Sequence, residues 1–479
     1  MRAGRSPARP SCVRLAGRER FGLGCARHPR HPPRSRTSAN WAPTVRTPTD
    51  LGFSSAALDD ASLSRLSQGL VGSEVLRIAA EVRAAVAAGR EVCNLTVGDF
   101  DPREFPLPRK LVDGVRAALE AGHTNYPPAN GVLELRKSVV EFYRREMGLD
   151  YPLESVVIAG GARPLIYATY RSLVDPGEAA VFPVPSWNNN HYAYLTGARA
   201  VALEVRREHR FHPTPEQIAA VLPEARLVSL CSPLNPTGTG MEPDVLAAIS
   251  RLIVRENQRR ETAGKRPVFL MFDQVYWATT LDRGSPVTPP ALVPEVAPWT
   301  VLIDAISKSL AATGLRVGWA LAHPAVTARL SDLLGHVGAW APKPEQVATA
   351  AFLADATAFN EFRAQMAERL RVRLEALHGG FERMRARGLP VECVAPEGTL
   401  YLSARFPLGG TLRGRRLETN EDVRKLLLDE AGVAVVPFQA FALAREDGWF
   451  RLSVGAVSLA AVEHGLARLE ALFGEANGR

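Results

Sequence analysis

The chain has 479 residues, 46% hydrophobic and 23% charged, a composition typical of a globular protein with more than one domain. No apolar run is long enough to span a bilayer, so the sequence predicts no transmembrane helix. The formal charge of +8 is unevenly placed, with +9 in residues 1–50 and −1 in residues 51–479, and the nearly neutral body gives no reason to expect a nucleic-acid partner.

The cysteines and histidines show no spacing typical of a disulfide framework or a metal site. The five cysteines stand far apart, at positions 12, 25, 93, 231 and 393, with no C-x-x-C pair. A scattered, odd-numbered set is typical of reduced thiols in a reducing compartment. The ten histidines show no metal-ligand spacing either. We therefore expect a cytoplasmic protein without a metal ion.

Residues 1–55 differ in composition from the rest of the chain. They are rich in Arg, Pro, Ser and Gly and poor in aliphatic residues, so they cannot bury enough apolar surface to offset the entropy of ordering. We expect a disordered basic extension. Its composition resembles that of a transit peptide, although Pro32 and Pro33 would break an amphipathic helix. A chain start further downstream is the alternative interpretation.

Beyond the extension, hydrophobic periodicity predicts alternating helices and strands. Helices are predicted over 73–89, 111–121, 133–147 and 162–173, and strands over 92–97, 156–159, 179–182, 200–203, 227–230, 268–272 and 300–306. Continuously apolar strands separated by helices indicate a mostly parallel sheet of an α/β protein. The functional residues of such a sheet lie at the carboxyl ends of its strands.

From residue 344 the pattern changes. A long helix over 360–384 is followed by short strands and a last helix over 459–473, which suggests a smaller α+β domain. We therefore predict four segments. These are the extension at 1–55, the N-terminal part of a small domain at 56–97, a large domain at 98–343 and the rest of the small domain at 344–479.

Several strand ends carry residues suited to a cofactor that has both a carbonyl and a phosphate. Lys308 follows the strand 300–306, and a lysine amine becomes a covalent catalyst when it forms a Schiff base with a carbonyl. Arg316 lies beyond a Thr-Gly break, and a guanidinium is a natural clamp for a phosphate. Two glycines between the strand 156–159 and the next helix present N–H groups that form a second anion site. Together these features point to pyridoxal 5'-phosphate (PLP).

Three motifs follow these strands in a fixed order. They are S-P-x-N-P-T-G at 232–238, D-x-x-Y at 273–276 and S-K-x-x-x-x-T-G-x-R-x-G at 307–318. In this combination they strongly resemble the class I/II, fold-type I PLP-dependent aminotransferases, in particular the aspartate aminotransferase-like branch. The resemblance covers about residue 73 to the C terminus. It implies a large domain with a mostly parallel seven-stranded sheet between helices, a smaller α+β domain, and a homodimer with shared active sites.

The resemblance also assigns roles to individual residues. By resemblance, the catalytic residues are Lys308, Asp273 and Tyr276, the cofactor-binding residues are Tyr126, Gly161, Ala162, Trp187, Asn235, Asp273, Tyr276, Lys308 and Arg316, and the substrate-binding residues are Gly98 and Arg451. Lys308 would hold the cofactor and act as general base, while Asp273 would keep the pyridine nitrogen protonated. Asn235 and Tyr276 would bond the phenolic oxygen of the ring.

The remaining residues would position the cofactor and the substrate. Trp187 would stack on the ring, and Arg316 with the N–H groups of Gly161 and Ala162 would hold the phosphate. Tyr126 resembles the tyrosine that reaches the phosphate of the partner subunit, and Arg451 resembles the arginine that grips the substrate α-carboxylate. Taken singly, the same residue types have plainer interpretations, such as a helix N-cap for an aspartate, a turn for an asparagine, and core packing for a tryptophan or tyrosine.

The resemblance implies an enzyme of amino acid metabolism that moves an amino group between an α-amino acid and a 2-oxo acid by ping-pong chemistry. Two alternatives remain. A PLP-dependent lyase for C–S β-elimination begins with the same proton abstraction, so the motifs do not separate it from an aminotransferase. A non-enzymatic regulator with an aminotransferase-like domain would need an N-terminal winged helix-turn-helix module, and residues 1–50 lack the helical periodicity for one.

Three positions depart from the family pattern. Ala162 stands where the bacterial aspartate aminotransferase branch has a lysine for the distal carboxylate of the substrate. Arg163 follows it, but successive helical residues point about 100° apart. We therefore expect no strong preference for aspartate unless Arg163 or a partner-subunit residue supplies the positive charge.

Ala305 replaces a phosphate-binding serine, and we expect Phe438, which replaces a glycine, to change the shape of the pocket entrance.

Overall fold

The computed structural model of the chain describes residues 59–281 and 287–474, so the predicted extension at 1–55 lies outside the described residues. The helices are α1 (Arg65–Gln68), α2 (Glu74–Ala87), α3 (Arg109–Glu120), α4 (Leu133–Met147), α5 (Ala162–Leu173), α6 (Asn189–Thr196), α7 (Pro215–Val221), α8 (Pro243–Thr262), α9 (Pro289–Leu292), α10 (Ile306–Ser309), α11 (Pro324–Val337), α12 (Lys343–Leu353), α13 (Ala356–Ala386), α14 (Asn420–Glu430) and α15 (Leu459–Gly474).

The strands are β1 (Cys93–Asn94), β2 (Val156–Ala159), β3 (Ala179–Val184), β4 (Arg199–Glu204), β5 (Ala225–Cys231), β6 (Phe269–Asp273), β7 (Thr300–Ala305), β8 (Gly318–Leu321), β9 (Glu392–Cys393), β10 (Tyr401–Arg405), β11 (Gly410–Leu412), β12 (Arg415–Leu417), β13 (Val433–Ala434), β14 (Val436–Pro437) and β15 (Trp449–Ser453). Residue contacts divide the chain after Ser64, and all of these strands and helices belong to the part that begins at Arg65.

Seven strands form the main sheet, in the order β2-β8-β7-β6-β5-β3-β4. Strand β8 runs antiparallel to both of its neighbours, and the other pairs are parallel. Alternate residues of one strand pack into different cores, because Leu270 and Phe272 belong to one hydrophobic cluster and Met271 belongs to another. Both faces are therefore buried, which explains the continuously apolar strands. The α/β prediction is confirmed.

A smaller antiparallel sheet, in the order β14-β15-β10-β9, lies in the C-terminal part of the chain. A third hydrophobic cluster joins its strands to α13 and α15. The N-terminal region contacts this part of the chain, since Cys93 pairs with Val433 and Asn94 with Ala434 in the parallel pair β1–β13. The domain boundaries after residues 55, 97 and 343 remain predictions.

The predicted elements differ from the observed ones mainly in length. Helix α4 has the predicted bounds, whereas α13 extends four residues before and two after the predicted 360–384. Strand β1 has two residues instead of the six predicted, because its partner β13 also has two.

Within the two described ranges, no helix combines the length and the apolar character needed to cross a membrane.

Candidate active site

Three neighbouring parallel strands end at the same edge of the main sheet and bring the predicted residues together. Cys231 and Asp273 are the paired last residues of β5 and β6, and Lys308 lies three residues after the end of β7. A cavity of about 560 Å³ opens at this edge, which is a usual size for a small-molecule site. Nine of the eleven predicted residues line it, namely Gly98, Ala162, Trp187, Asn235, Asp273, Tyr276, Lys308, Arg316 and Arg451.

The Lys308 amine lies inside this cavity. Its Nζ donates a hydrogen bond to the carbonyl oxygen of Gly98, at 2.6 Å. Burial lowers the pKa of Lys308 to about 8, the charge of Asp99 opposes this shift, and three arginines including Arg451 and Arg163 reinforce it. A lowered pKa increases the neutral fraction of the amine near neutral pH, which makes it a better nucleophile for a carbonyl.

Asp273, the last residue of β6, places a carboxylate in the same cavity. Its Oδ1 accepts a hydrogen bond from the backbone N–H of Val275 at 3.2 Å, and burial raises its pKa to about 6. Within residues 59–281 and 287–474, it makes no ion pair. A buried carboxylate without a cation is unfavourable unless a ligand supplies the positive charge. The protonated nitrogen of a pyridine ring is such a group, so this site fits PLP.

Another part of the cavity is suited to an anion. Gly161 has φ of +90°, and a Cβ there would lie 2.4 Å from Nη2 of Arg316, so only glycine leaves room for the guanidinium. Arg316 donates to the carbonyl oxygens of Gly160 at 2.9 Å and Thr313 at 2.8 Å. Its remaining N–H groups and the N-terminus of α5 at Ala162 provide positive charge for a phosphate.

Gly161 contributes to the phosphate end of the site through its missing side chain, which admits Arg316. Its N–H donates to the carbonyl oxygen of Ala159 at 2.7 Å, and Gly161 is absent from the described cavity lining. A contact of this N–H with a phosphate remains a prediction. Ala162 lines the cavity as expected.

Arg451 is a buried arginine with unused hydrogen-bonding capacity. It is 1% exposed. Its Nη1 donates to Oδ1 of Asn235 at 3.1 Å, and its Nη2 donates to the carbonyl oxygen of Thr96 at 2.6 Å. In the described part of the chain, its Nε has no partner. A buried donor without a partner is costly, and a carboxylate bound in the cavity would satisfy it.

Tyr276 belongs to a second hydrogen-bonded group on the same wall. Its hydroxyl accepts from Nδ2 of Asn235 at 3.3 Å and lies 3.0 Å from the hydroxyl of Tyr401. Burial raises the pKa of Tyr276, so its phenol is neutral and can donate. Tyr401, which also lines the cavity, was not predicted from the sequence. No spacing signal could reveal it, because 125 residues separate it from Tyr276.

An aromatic side chain and an arginine form another part of the lining. Trp187 is half-buried, and the guanidinium carbon of Arg163 lies 5.2 Å from the centroid of its ring. Arg163 is exposed and nevertheless lines the cavity. It therefore lies at the cavity mouth, one residue after Ala162.

Two residues singled out from the sequence lie away from the cavity. Tyr126 is 81% exposed and contacts Trp340 edge to face, with the ring centroids 5.2 Å apart. Phe438 is fully buried and packs against Phe211 and Trp449. The expectation that Phe438 changes the pocket entrance is therefore wrong, because these aromatic contacts draw its ring into the core.

The fold and the cavity together define a protein of the aminotransferase class. The family described as aminotransferase class I and II matches residues 90–469. The chain belongs to this family and is an aminotransferase, and membership of the family implies PLP as cofactor.

Curated relatives and solved structures agree with this assignment. The chain is 28% identical to the aspartate aminotransferase of Geobacillus stearothermophilus over 381 residues, which cover 79% of this chain and 91% of the relative. It is 29% identical to the aspartate/prephenate aminotransferase of Cereibacter sphaeroides, in a match that covers 80% of this chain and 91% of the relative.

Among solved structures, the aspartate aminotransferase of Rhizobium meliloti is similar with a TM-score of 0.78 at 26% identity, covering 86% of this chain and 98% of that one. The aspartate aminotransferase of Thermus thermophilus with maleate is also similar, with a TM-score of 0.75 at 26% identity. The match covers 86% of this chain and 99% of that one.

Proposed function

We propose that this aminotransferase binds PLP through Lys308 and transfers the amino group of a dicarboxylic amino acid, such as aspartate, to a 2-oxo acid. The observation that carries the proposal is that one cavity is lined by the amine of Lys308, the carboxylate of Asp273 and the guanidinium of Arg451. These three groups match the carbonyl and the ring nitrogen of PLP and the carboxylate of an amino acid.

Bound PLP supplies a carbonyl for covalent attachment and an electron sink next to the reacting carbon. Lys308 and Asp273 divide the remaining work. Asp273 holds a proton on the pyridine nitrogen through its negative charge, and the low polarity around it strengthens that interaction. With the cofactor bound, Nζ of Lys308 would act as general base toward the α-hydrogen of the substrate and then as the acid that returns the proton.

The ring and phosphate of PLP would be held by residues at the ends of several strands and at the start of α5. Arg316 and the N–H of Ala162 at the start of α5 bind the phosphate. Trp187 packs on the ring, and the hydroxyl of Tyr276 with the amide of Asn235 bonds the phenolic oxygen. The hydroxyl of Tyr401 holds that of Tyr276 in place.

Arg451 would bind the α-carboxylate of the substrate beside the backbone of Gly98. Its Nη1 and Nη2 are fixed by Asn235 and Thr96, and its Nε is free of partners in the described chain. Because the guanidinium is already oriented, little entropy is lost when the carboxylate binds. The orientation of the substrate then places its α-hydrogen near Lys308.

Arg163 is our candidate for the group that binds the distal carboxylate. It is at the cavity mouth, over Trp187, and its charge acts on Lys308, which supports it as the cation that a preference for aspartate would require. Two further observations support the dicarboxylate proposal. Several relatives are named aspartate aminotransferases, and the Thermus thermophilus enzyme was solved with maleate, which is itself a dicarboxylate.

The experiment is a half-reaction screen with the purified PLP-loaded protein. Each amino acid is mixed with the enzyme, and conversion of the bound cofactor to its pyridoxamine form is followed by absorbance. We expect aspartate to react fastest, and Arg163→Ala to lower its kcat/KM about 10–100-fold, the effect of losing one charge-assisted hydrogen bond. Alanine has no distal carboxylate, so its kcat/KM should fall much less, by only the small effect that the charge of Arg163 has on Lys308.

Arg171→Ala provides the matched control, because Arg171 is an exposed arginine at the end of the same helix. It should leave both substrates unchanged. An aspartate preference that survives Arg163→Ala would contradict the role of Arg163. If none of the amino acids converted the bound cofactor to its pyridoxamine form, the proposed function as a whole would be contradicted.

We also propose a homodimer with shared active sites. The exposed side chain of Tyr126, with Trp340 beside it, is available to contact a second copy of the chain, and family resemblance gives this tyrosine a place at the phosphate of the partner subunit. A cytoplasmic location and the absence of a nucleic-acid partner remain predictions.

A further inference from the structure

A thiol, an imidazole and a carboxylate meet outside the catalytic cavity. His378 and Glu382 are four residues apart on α13, so they project from the same face of the helix. Cys393 ends strand β9, which packs against α13. One ligand atom of each residue lies within 4.8 Å of the others, and Sγ of Cys393 lies 4.0 Å from the carbonyl oxygen of His378.

These donors are the ones that zinc prefers. Zinc takes thiolate sulfur, imidazole nitrogen and carboxylate oxygen in tetrahedral sites, with bonds of about 2.0–2.3 Å. Such bonds place neighbouring ligand atoms about 3.5 Å apart. Side-chain rotations that move the ligand atoms by about 1 Å would therefore bring them to bonding distance of one ion. We propose that His378, Glu382 and Cys393 form a zinc site that joins α13 to β9.

The burial of the three residues suits an ion held at the edge of the structure. Cys393 is 5% exposed, whereas His378 and Glu382 are half-buried. The ion would therefore have its sulfur ligand on the inner side and an open fourth position toward the surface. His378 and Glu375 also line a neighbouring cavity of about 550 Å³, from which water can complete the tetrahedron.

Charge is balanced when the ion binds. Zinc requires the ionised thiolate, so the proton of Cys393 is released to solvent. The thiolate and the carboxylate together neutralise the two positive charges of the ion. Glu382 must first leave Arg385, whose Nη1 donates to its carboxylate oxygens at 3.2 and 3.3 Å. That pair is largely exposed, with 60% and 40% of the two side chains accessible, and exposed ion pairs are weak.

The role of the site would be structural. None of its three residues lines the catalytic cavity, so its ion takes no part in the transfer reaction. Its binding would join two elements that surround the C-terminal core and would stabilise the folded state over the unfolded one. The ligands come from a helix and a strand that are separate in sequence, which is why no metal-ligand spacing was apparent in the sequence.

The test uses the full-length, PLP-loaded protein after removal of metal by a chelator. Zinc binding is titrated in competition with a chromophoric chelator, and cobalt replaces zinc to give visible bands that report thiolate coordination. We expect one high-affinity zinc per chain and a higher Tm with zinc than without. Cys393→Ser and His378→Ala should each weaken binding by at least about 10–100-fold, the loss already seen when only an outer-shell partner of a ligand is removed.

Two variants make the test specific. Cys93→Ser removes a buried thiol that lies outside the cluster and should leave zinc affinity unchanged. Arg385→Ala frees the carboxylate of Glu382 and should tighten binding, and it keeps the test decisive if Cys393→Ser fails to fold. An absence of tight zinc binding by the parent protein overturns the proposal. So does zinc affinity that is unchanged in both Cys393→Ser and His378→Ala, or unchanged in Arg385→Ala.

Discussion

The phenolic hydroxyl of Tyr276 lies 3.0 Å from that of Tyr401. Tyr276 follows a strand of the main sheet, and Tyr401 begins β10 in the smaller sheet. The centroid of the Tyr401 ring also lies 4.6 Å from the guanidinium carbon of Arg451. One side chain thus contacts both the tyrosine proposed to bond the cofactor ring and the arginine proposed to bind the substrate carboxylate.

We predict that Tyr401→Phe lowers kcat about 3–10-fold, the effect of one hydrogen bond. The hydroxyl that holds Tyr276 is lost, whereas the ring over Arg451 remains, so KM for the amino acid should change little. Steady-state kinetics of Tyr401→Phe, Tyr276→Phe and the double variant measure the coupling. If the two effects simply add, Tyr401 does not act through Tyr276.

A second prediction concerns the stability of the PLP-free protein. Folding raises the pKa of the Asp273 carboxyl from 3.8 to about 6 through burial, so its ionised form is less favourable in the folded state than in the unfolded one. As the pH rises, the resulting loss of stability begins above the pKa of the unfolded state and is complete above the pKa of the folded state. It amounts to about 3 kcal/mol at most. PLP-free Asp273→Asn should therefore melt higher than the PLP-free parent at pH 7.

The same substitution should have opposite effects once PLP is bound. The pyridinium charge then stabilises the carboxylate, so PLP-loaded Asp273→Asn should melt lower than the PLP-loaded parent and lose kcat by orders of magnitude. The difference between the PLP-free proteins should vanish near pH 4, where the carboxyl is protonated in the folded state. Equal melting of the PLP-free proteins at both pH values would show that the carboxylate is not isolated from cations.

The third prediction uses the lowered pKa of Lys308, about 8. Because only the neutral amine attacks a carbonyl, the rate at which PLP-free protein takes up PLP should fall about tenfold for each pH unit below that value. Stopped-flow absorbance measures this rate. Asp99→Asn removes a charge that raises the pKa and should move the profile to lower pH. Arg163→Ala removes a charge that lowers it and should move the profile to higher pH.

These opposite shifts separate the charge effect from a general disturbance of the cavity. PLP and buffer are the same in all three proteins, so titration of the cofactor itself cancels in the comparison. Two shifts in the same direction would contradict our account of the electrostatics around Lys308.

The fourth prediction concerns the proposed homodimer. If Tyr126 completes the site of the other subunit, mixing Tyr126→Ala with Lys308→Ala should give hybrid dimers in which one of the two sites has both native residues. Activity should then appear in the mixture after subunit exchange, although each variant alone is impaired. Sedimentation of the parent protein should give a dimer. A lack of recovery in a mixture shown to contain hybrid dimers would mean that Tyr126 does not act across the interface.

Much of the fold could be predicted because its signals are local. The bounds of α4 follow from a regular apolar stripe that ends at Gly148, and the strands of the main sheet are continuously apolar because both faces are buried. Strand β8 was missed. Its four residues, Gly318–Leu321, begin at the last glycine of the motif at 307–318, and their strand conformation is set by pairing with β2 and β7.

The site could be predicted where residues stand at strand ends, as Asp273 and Lys308 do. Its finer geometry could not, because it depends on contacts between distant parts of the chain. The carbonyl that accepts from Lys308 belongs to a residue 210 positions away. The ring of Phe438 was expected at the pocket entrance, but aromatic packing with Phe211 and Trp449 places it in the core.

Borohydride reduction shows which lysine carries the cofactor, and we expect it to be Lys308. Reduction fixes PLP on the lysine that holds it, and peptide mapping by mass spectrometry then identifies that lysine. We predict that the label appears on the peptide containing Lys308 and disappears when the protein is first incubated with aspartate, which converts the cofactor to a form that is no longer attached. A label on another lysine of the purified, active protein would mean that Lys308 does not hold the cofactor.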